Sequence, residues 1–417
     1  MKAEIKEVWS NRNFVFLFLG RLISSLGHNL YLLGLPWLAL QLTGSALILS
    51  TVFAVEYIAK LVSALFAGVA ADKFDKKKIM MFSAILQAII LLIIPFTYTL
   101  DLFSEWIIYS VAILINFVGG FYFNSEKALL PSMFEKSLYT TMNSQFQFIN
   151  IISRFLGPTV AGALIGLLGP VYIFTIDALA FIILFCFVLL LNVQYQKFEG
   201  MSEGFIASVK EGLLFLKENM GLTKIAFGSM VLNMAVGPIL ALLVFYSSNE
   251  LNANSFQTGL VYSAGGIGGV LVSIYAVKLK GIFTRSVLFL WNIIILGVGI
   301  ITLGMANHWM VAAASFLIIM GMIMLYNINY NTMVQEIVPV KYRGRVGSTL
   351  FLLSQISVPF SMTLAGLVSE SIDIRIIFLS LGLFMLIFGI VFYKGVYTRY
   401  TFVDFDETEQ NSAQPGG

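Results

Sequence analysis

The 417-residue sequence has a single cysteine and two histidines, and only 11% of its residues are charged. One thiol, Cys186, can build neither an intrachain disulfide nor a thiolate metal site. No acid/base pair or cluster of His and Asp appears at a water interface, so the chain does not read as an enzyme and no metal site or cofactor is expected. No Gly-x-x-x-x-Gly-Lys-(Ser/Thr) phosphate loop is present, which disfavours ATP hydrolysis. The net charge of +3 comes from basic residues at the edges of apolar runs, with no basic stripe interleaved with aromatics, so nucleic acid is not an expected partner. A soluble domain typically carries about 25% charged residues. The shortage here points to lipid as the solvent.

Apolar residues fill the space, at 59% of the chain. A helix rises about 1.5 Å per residue, so about 20 residues cross a hydrocarbon layer about 30 Å thick. Twelve such stretches are expected at 14–40, 47–70, 79–98, 106–128, 142–167, 171–191, 224–246, 259–277, 287–305, 309–331, 346–368 and 374–393. All but four of the 25 Lys and Arg residues then fall in one set of alternate loops, at the span ends that border those loops, and in the two tails; Arg375 lies at the opposite edge, and Arg21, Lys60 and Arg154 lie within spans. The positive-inside rule therefore places both chain ends in the cytoplasm. The start, Met1 to Arg12, has no small-residue cleavage pattern, so no removable leader is expected.

The longest polar stretch lies between the sixth and seventh spans. There Phe205, Val209, Leu213 and Leu216 recur at helical spacing, with Lys210, Glu211, Lys217 and Glu218 on the other side. This predicts an amphipathic helix against the membrane or the bundle. The expected organisation is a six-helix bundle over 1–193, a linker over 194–223, a second six-helix bundle over 224–402 and a disordered polar tail over 403–417. The halves repeat. Leu61-Val62-Ser63 matches Leu271-Val272-Ser273, and Ser144, Ile152, Ser153, Thr159, Ala161 and Gly162 match Ser348, Ile356, Ser357, Thr363, Ala365 and Gly366. Matches in corresponding spans point to parallel repeats about an axis along the membrane normal.

A charged residue at the centre of a span costs about 2.5–3.5 kcal/mol, so each survivor points to a pairing, a polar cavity or a proton path. Glu56 and Lys60 share one face of the second span at i, i+4 spacing. At about 1.5 Å per residue, His28 and Glu56 both lie about 21 Å from the cytoplasmic ends of their spans, with Arg21 and Lys60 nearer that side. The positions equivalent to Glu56 and Lys60 in the second half are Gly266 and Val270, an asymmetry that suggests division of labour. Two readings follow: a carboxylate whose charge alternates during transport, or a static intrahelical pair. Arg154 and Asp177, on spans adjacent in sequence, are candidates to pair with each other. Asn29, Asn116, Asn150, Asn233, Asn292 and Asn329 either line a cavity or bond between helices.

Gly68-Val-Ala-Ala-Asp72-Lys73-Phe-Asp75-Lys76-Lys77-Lys78 resembles the loop signature of the major facilitator superfamily, departing from it at Asp75, where the family has a second glycine. The resemblance implies that Asp72 latches onto the start of the eleventh helix, Val346-Gly347-Ser348. Gly157-Pro158-Thr-Val-Ala-Gly162-Ala-Leu-Ile-Gly166 is similar to the superfamily's antiporter signature; Pro158 removes a backbone bond and the glycines allow helices to touch. Gln335-Glu336-Ile-Val-Pro339-Val-Lys-Tyr-Arg343-Gly344-Arg345-Val346 and Glu211-Gly212-Leu-Leu-Phe215-Leu resemble the macrolide-efflux-like branch. Many proton-coupled exporters of the superfamily carry an arginine where this chain has Asn116, before Gly120, so that relay does not carry over.

Together these features imply an all-α membrane protein of twelve helices in two pseudo-symmetric six-helix bundles. The expected function is proton-coupled export of small amphiphilic, macrolide-like molecules by a monomer in a bacterial cell membrane. Glu56 is the expected coupling carboxylate, tuned by Lys60, His28 and Arg21, with Tyr31, Trp37 and Tyr57 contacting substrate. Beyond the coupling ion, substrate and membrane lipid, no ligand is expected. An exporter of a polar metabolite, such as a metallophore or a lipid-related compound, and a non-transporting receptor or scaffold stand as alternatives.

Overall fold

The computed structural model describes residues 2–193, 205–282, 285–339 and 342–392. The expected polar tail, 403–417, and the start of the linker lie outside them. A short helix, α1 (Lys2–Ser10), precedes the spans α2 (Arg12–Thr43), α3 (Ala46–Lys73), α4 (Lys76–Thr99), α5 (Glu105–Leu129), α6 (Tyr139–Leu168) and α7 (Ile173–Leu189). The linker helix α8 (Phe205–Glu218) leads to α9 (Met220–Phe245), α10 (Ser255–Ile282), α11 (Arg285–Gly304), α12 (Trp309–Ile337), α13 (Arg343–Gln355), α14 (Ser357–Ser369) and α15 (Ile374–Phe392). Each of the twelve expected spans has its helix, within a few residues. Only α7, with 17 residues, is short for a crossing. Helix α1 lies ahead of all the expected spans.

Local chemistry sets the boundaries. Asn11 caps α2 by accepting from the Asn13 and Phe14 amides, and Gly44 ends it at φ 62°, a left-handed conformation that suits glycine. Ser45 then caps α3. Asp75 accepts from the amides of Lys77 and Lys78 at 2.9 and 3.3 Å, which makes it the cap of α4. That explains why an acid replaces the family's glycine: both residues suit an N-cap. The eleventh span, expected as one helix, is interrupted at Ile356. Pro359 has no N–H to give the Gln355 carbonyl, so the α-helical ladder breaks there.

Two apolar cores form, one inside α1–α7 and one inside α9–α15, and each borrows a residue from the other half, Val244 and Ala46 respectively. The bundles meet where α3 packs on α14 and α6 on α10. Contact is closest toward the end opposite the basic loops. A Cβ on Gly366 would overlap Ser50, and one on Gly162 would overlap the backbone of Ser255. Thr159 and Ser263 hydroxyls share a hydrogen bond of 2.8 Å across the same seam. Ala54, Ala241, Val358 and Met362, with Phe53 and Tyr57 against them, seal it. At the basic end Asp72 is exposed, and nothing lies within 4 Å of a Cβ on Gly68 or Gly347. The molecule is closed at one end and parted at the other.

The linker helix packs on α13. Its contact face is Gly212, Phe215 and Leu216, whereas Leu213, expected on that face, is 46% exposed. Glu211 pairs with Arg345, the Phe215 and Tyr342 rings lie 5.4 Å apart, and a Cβ on Gly212 would overlap Thr349.

Candidate functional site

Glu56 is buried in the middle of α3, and its partner is Tyr31, not Lys60. The Tyr31 hydroxyl donates to Glu56 Oε1 and accepts from Asn116 Nδ2 at 3.1 Å. Asn116 is fixed in turn by donating to the Ala112 carbonyl one turn back. His28 stacks on Tyr31 with ring centroids 5.4 Å apart and planes 12° from parallel. Three helices, α2, α3 and α5, thus converge on one carboxylate. The depths counted from the sequence placed His28 and Glu56 together, and the structure joins them through Tyr31. Asn116, standing where an arginine was expected, supplies a neutral donor to the same cluster.

The expected Glu56–Lys60 ion pair is not formed among the described residues. Lys60 is exposed, with its ammonium 5.9 Å from the centroid of the Tyr57 ring. Spacing i, i+4 puts both side chains on one helix face, but the buried hydroxyl of Tyr31 reaches Glu56 and the lysine is exposed.

Arg21 does not join this group. Its Nη1 lies 3.5 Å from Glu126 Oε2, and the Tyr122 hydroxyl donates to the other carboxyl oxygen at 3.3 Å. Glu126, 4% exposed, is a second buried carboxylate nearer the basic end, and the sequence analysis missed it. Its signal was Tyr122 one turn earlier, on the same helix face. Lys127 beside it makes the pair look like a loop-edge charge.

Arg154 and Asp177 do not pair either. The Arg154 side chain is exposed, while both carboxyl oxygens of Asp177 are buried without a hydrogen-bond partner, against Gly27 of α2. Trp37, expected to contact substrate, lies in the apolar core of the first bundle. Tyr31 is fully buried and engaged with Glu56, so it positions that acid; Tyr57 packs at the closed seam. Among the asparagines, Asn29 bonds its own helix at Ser25, Asn150 reaches Gln147, Asn233 reaches the Ser354 carbonyl at 3.3 Å and Asn292 reaches that of Met322 at 2.7 Å. Asn329 is the exception: its buried Nδ2 has no partner.

The motifs take structural places. In the signature loop Gly68 and Asp72 face open space and Lys73 ends α3. Asp75 caps α4, Lys76 begins it, and Lys77 donates to the carbonyls of Leu189 and Leu191, closing the end of α7. Among the described residues no hydrogen bond or ion pair joins Asp72 to Val346-Gly347-Ser348, and Ser348 bonds within its own helix. In the antiporter-like stretch Gly157 touches Asn29, Pro158 lies against Gly259, and Gly162 and Gly166 lie against Ser255. Arg343 caps α12 through the Gln335 and Val338 carbonyls, Gly344 is exposed, and Arg345 holds the linker. The two branch-like motifs therefore touch each other. Gly266, the counterpart of Glu56, lies where the Arg154 backbone crosses α10, so no side chain fits there. The asymmetry between halves has a packing cause at that position.

The family model described as "Transmembrane secretion effector" matches residues 8–414. The chain is 26% identical to the multidrug efflux pump Tap of Mycolicibacterium fortuitum, over 90% of this chain and 94% of that protein. It is 23% identical to macrolide efflux protein A of Streptococcus pyogenes, over 91% and 94%. Among solved structures, the nucleoside transporter NupG superposes with a TM-score of 0.71 at 12% identity, covering 93% of this chain and 99% of that one. A bacterial homologue of the iron transporter ferroportin, in an inward-facing state, gives 0.71 at 15% identity, covering 92% and 98%.

Proposed function

Since the chain belongs to the transmembrane secretion effector family of the major facilitator superfamily, we propose that it is a secondary active exporter of small amphiphilic organic molecules, working by alternating access and driven by proton entry at Glu56. The observation that carries this reading is the buried Asn116–Tyr31–Glu56 chain. An acid kept inside a span is costly unless its charge is used, and donors fixed by their own helices favour the charged form when the proton leaves. The two efflux pumps matched over most of their length support the direction of transport.

In this reading the basic end is cytoplasmic, both chain ends lie there, and the conformation is inward-open. Substrate enters between the parted bundles as Glu56 releases its proton to the cytoplasmic side; rocking about the seam of α3 with α14 and α6 with α10 then exposes the site to the other side, where a proton returns to Glu56 as substrate leaves. Lys60, at the open side of the same helix face, supplies a charge that approaches Glu56 as the cavity narrows. Glu126, held by Arg21 and Tyr122, is a second carboxylate on the proton's route inward. The protein works as a monomer.

The test is flux by purified protein in liposomes under an imposed pH gradient, screened over cationic, neutral and anionic compounds. Uphill movement of cationic or neutral amphiphiles that dissipates the gradient is the expected result. Movement of anionic metabolites alone would replace this reading with a metabolite exporter, and no flux of any class would reject transport.

A further inference from the structure

A groove of about 740 Å³ opens on the flank of the first bundle, between the end of α3 and the start of α4, with α5 as its floor. None of the Glu56 cluster lines it. Its walls are apolar: Phe82 is 67% exposed, and Phe117 and Phe121 form an aromatic pair with centroids 5.3 Å apart. Its rim at the basic end carries Lys73 and Lys78. Asp75 also lines it, but that carboxylate is occupied with the amides of Lys77 and Lys78. Of the three consecutive lysines, Lys77 is turned away onto the end of α7, while Lys78 faces the groove. From Lys78 to Leu86 the groove runs about 12 Å along α4, at about 1.5 Å per residue. Cations therefore sit at the depth of lipid headgroups, with apolar wall below them.

We propose that this groove is a binding site for an anionic phospholipid, with its phosphate at Lys78 and an acyl chain along Phe82, Leu86, Phe117 and Phe121. Charge complementarity selects the occupant: Lys73, Lys76, Lys77 and Lys78 outnumber Asp72 and Asp75 on this loop, and a zwitterionic lipid gains little from a net positive rim. Each lysine near an anionic headgroup is worth about a fivefold change in retention. The site is independent of the transport reading and would exist in a protein that moved nothing.

Full-length protein is purified in mild detergent, equilibrated with equal amounts of phosphatidylglycerol and phosphatidylcholine, and weighed intact by native mass spectrometry. Wild type is expected to retain one phosphatidylglycerol in preference to phosphatidylcholine, Lys78→Ala to lose about fivefold of that retention, and Ser83→Trp, which fills the groove, to lose it. Lys136→Ala, the same charge change on another loop of the same end, is expected to have no effect. Equal retention of the two lipids, or an equal loss in Lys78→Ala and Lys136→Ala, would overturn the proposal. If Ser83→Trp fails to fold, Phe82→Ala, which removes wall and adds no bulk, reads the same contact.

Discussion

Single hydroxyls and carboxylates decide the chemistry at the residue scale. Tyr31→Phe keeps the ring stack with His28 and removes the hydroxyl's bonds to Glu56 and Asn116, the first a contact to an ionisable group worth about 1.5–3 kcal/mol. Proton-driven flux in proteoliposomes is expected to fall at least about tenfold in this variant. Glu56→Gln is expected to abolish uphill flux while leaving substrate exchange at zero gradient; unreduced uphill flux would remove Glu56 from the coupling role. Arg154 and Asp177 share no bond, so in a double-mutant cycle of Arg154→Ala and Asp177→Asn the coupling measured by thermal unfolding is expected to stay under about 0.5 kcal/mol. These partners were only half legible in the sequence. Charges stand out in an apolar run, so Glu56, Lys60, Arg21 and Asp177 were found at once. Their partners were not found, because spacing along one helix gives no information about which side chain of a neighbour arrives. Tyr31 looked like a substrate contact and is an anchor, and Glu126 was hidden by the lysine beside it.

At the scale of elements, the linker is a clamp. Glu211 and Arg345 pair while partly exposed, a geometry worth about 0.2–1 kcal/mol, and Gly212 lets α8 approach α13 closely enough for Phe215 to reach Tyr342. Gly212→Leu is expected to release the helix, with faster proteolysis of the linker. Glu211→Arg is expected to weaken the contact and the exchanged pair Glu211→Arg with Arg345→Glu to restore it; failure of the exchange to restore protection would show that packing alone holds the helix. The sequence flagged both segments as branch-like motifs without indicating that they meet. It also misjudged the buried face: Leu213 follows the apolar spacing, yet the partner helix offers its groove to Gly212 and Leu216. The cap at Asp75 went unread, although an acid before three lysines and an apolar run is a local signal that needs no partner.

For the whole molecule the question is how the two bundles move. In the present conformation Asp72 is exposed and makes no hydrogen bond or ion pair to α13 among the described residues, and Arg345, at the start of that helix, is held by Glu211. Asp72→Asn therefore removes nothing from the open state and weakens only the state in which the basic end is closed. Spin labels at Lys136→Cys and Gly344→Cys, in a Cys186→Ser background, are expected to show a larger long-distance population when Asp72→Asn is added. An unchanged distribution would mean that Asp72 never latches. Gly266→Val tests the seam at mid-span: the side chain has no room beside the Arg154 backbone, so α6 and α10 must part, which spin labels on the two helices are expected to show as a longer distance.

The sequence by itself determined the solvent, the twelve helices and the family, because each of these follows from hydrophobic length, charge distribution and motifs that are local along the chain. Tertiary structure alone decided that Tyr31 and Asn116 hold Glu56, that Arg21 belongs to Glu126, that Asp177 stands without a partner, and that the basic end is parted. Those outcomes depend on which faces of separate helices come within about 3 Å of each other, and helix rotation in a bundle is set by packing across all of its neighbours at once.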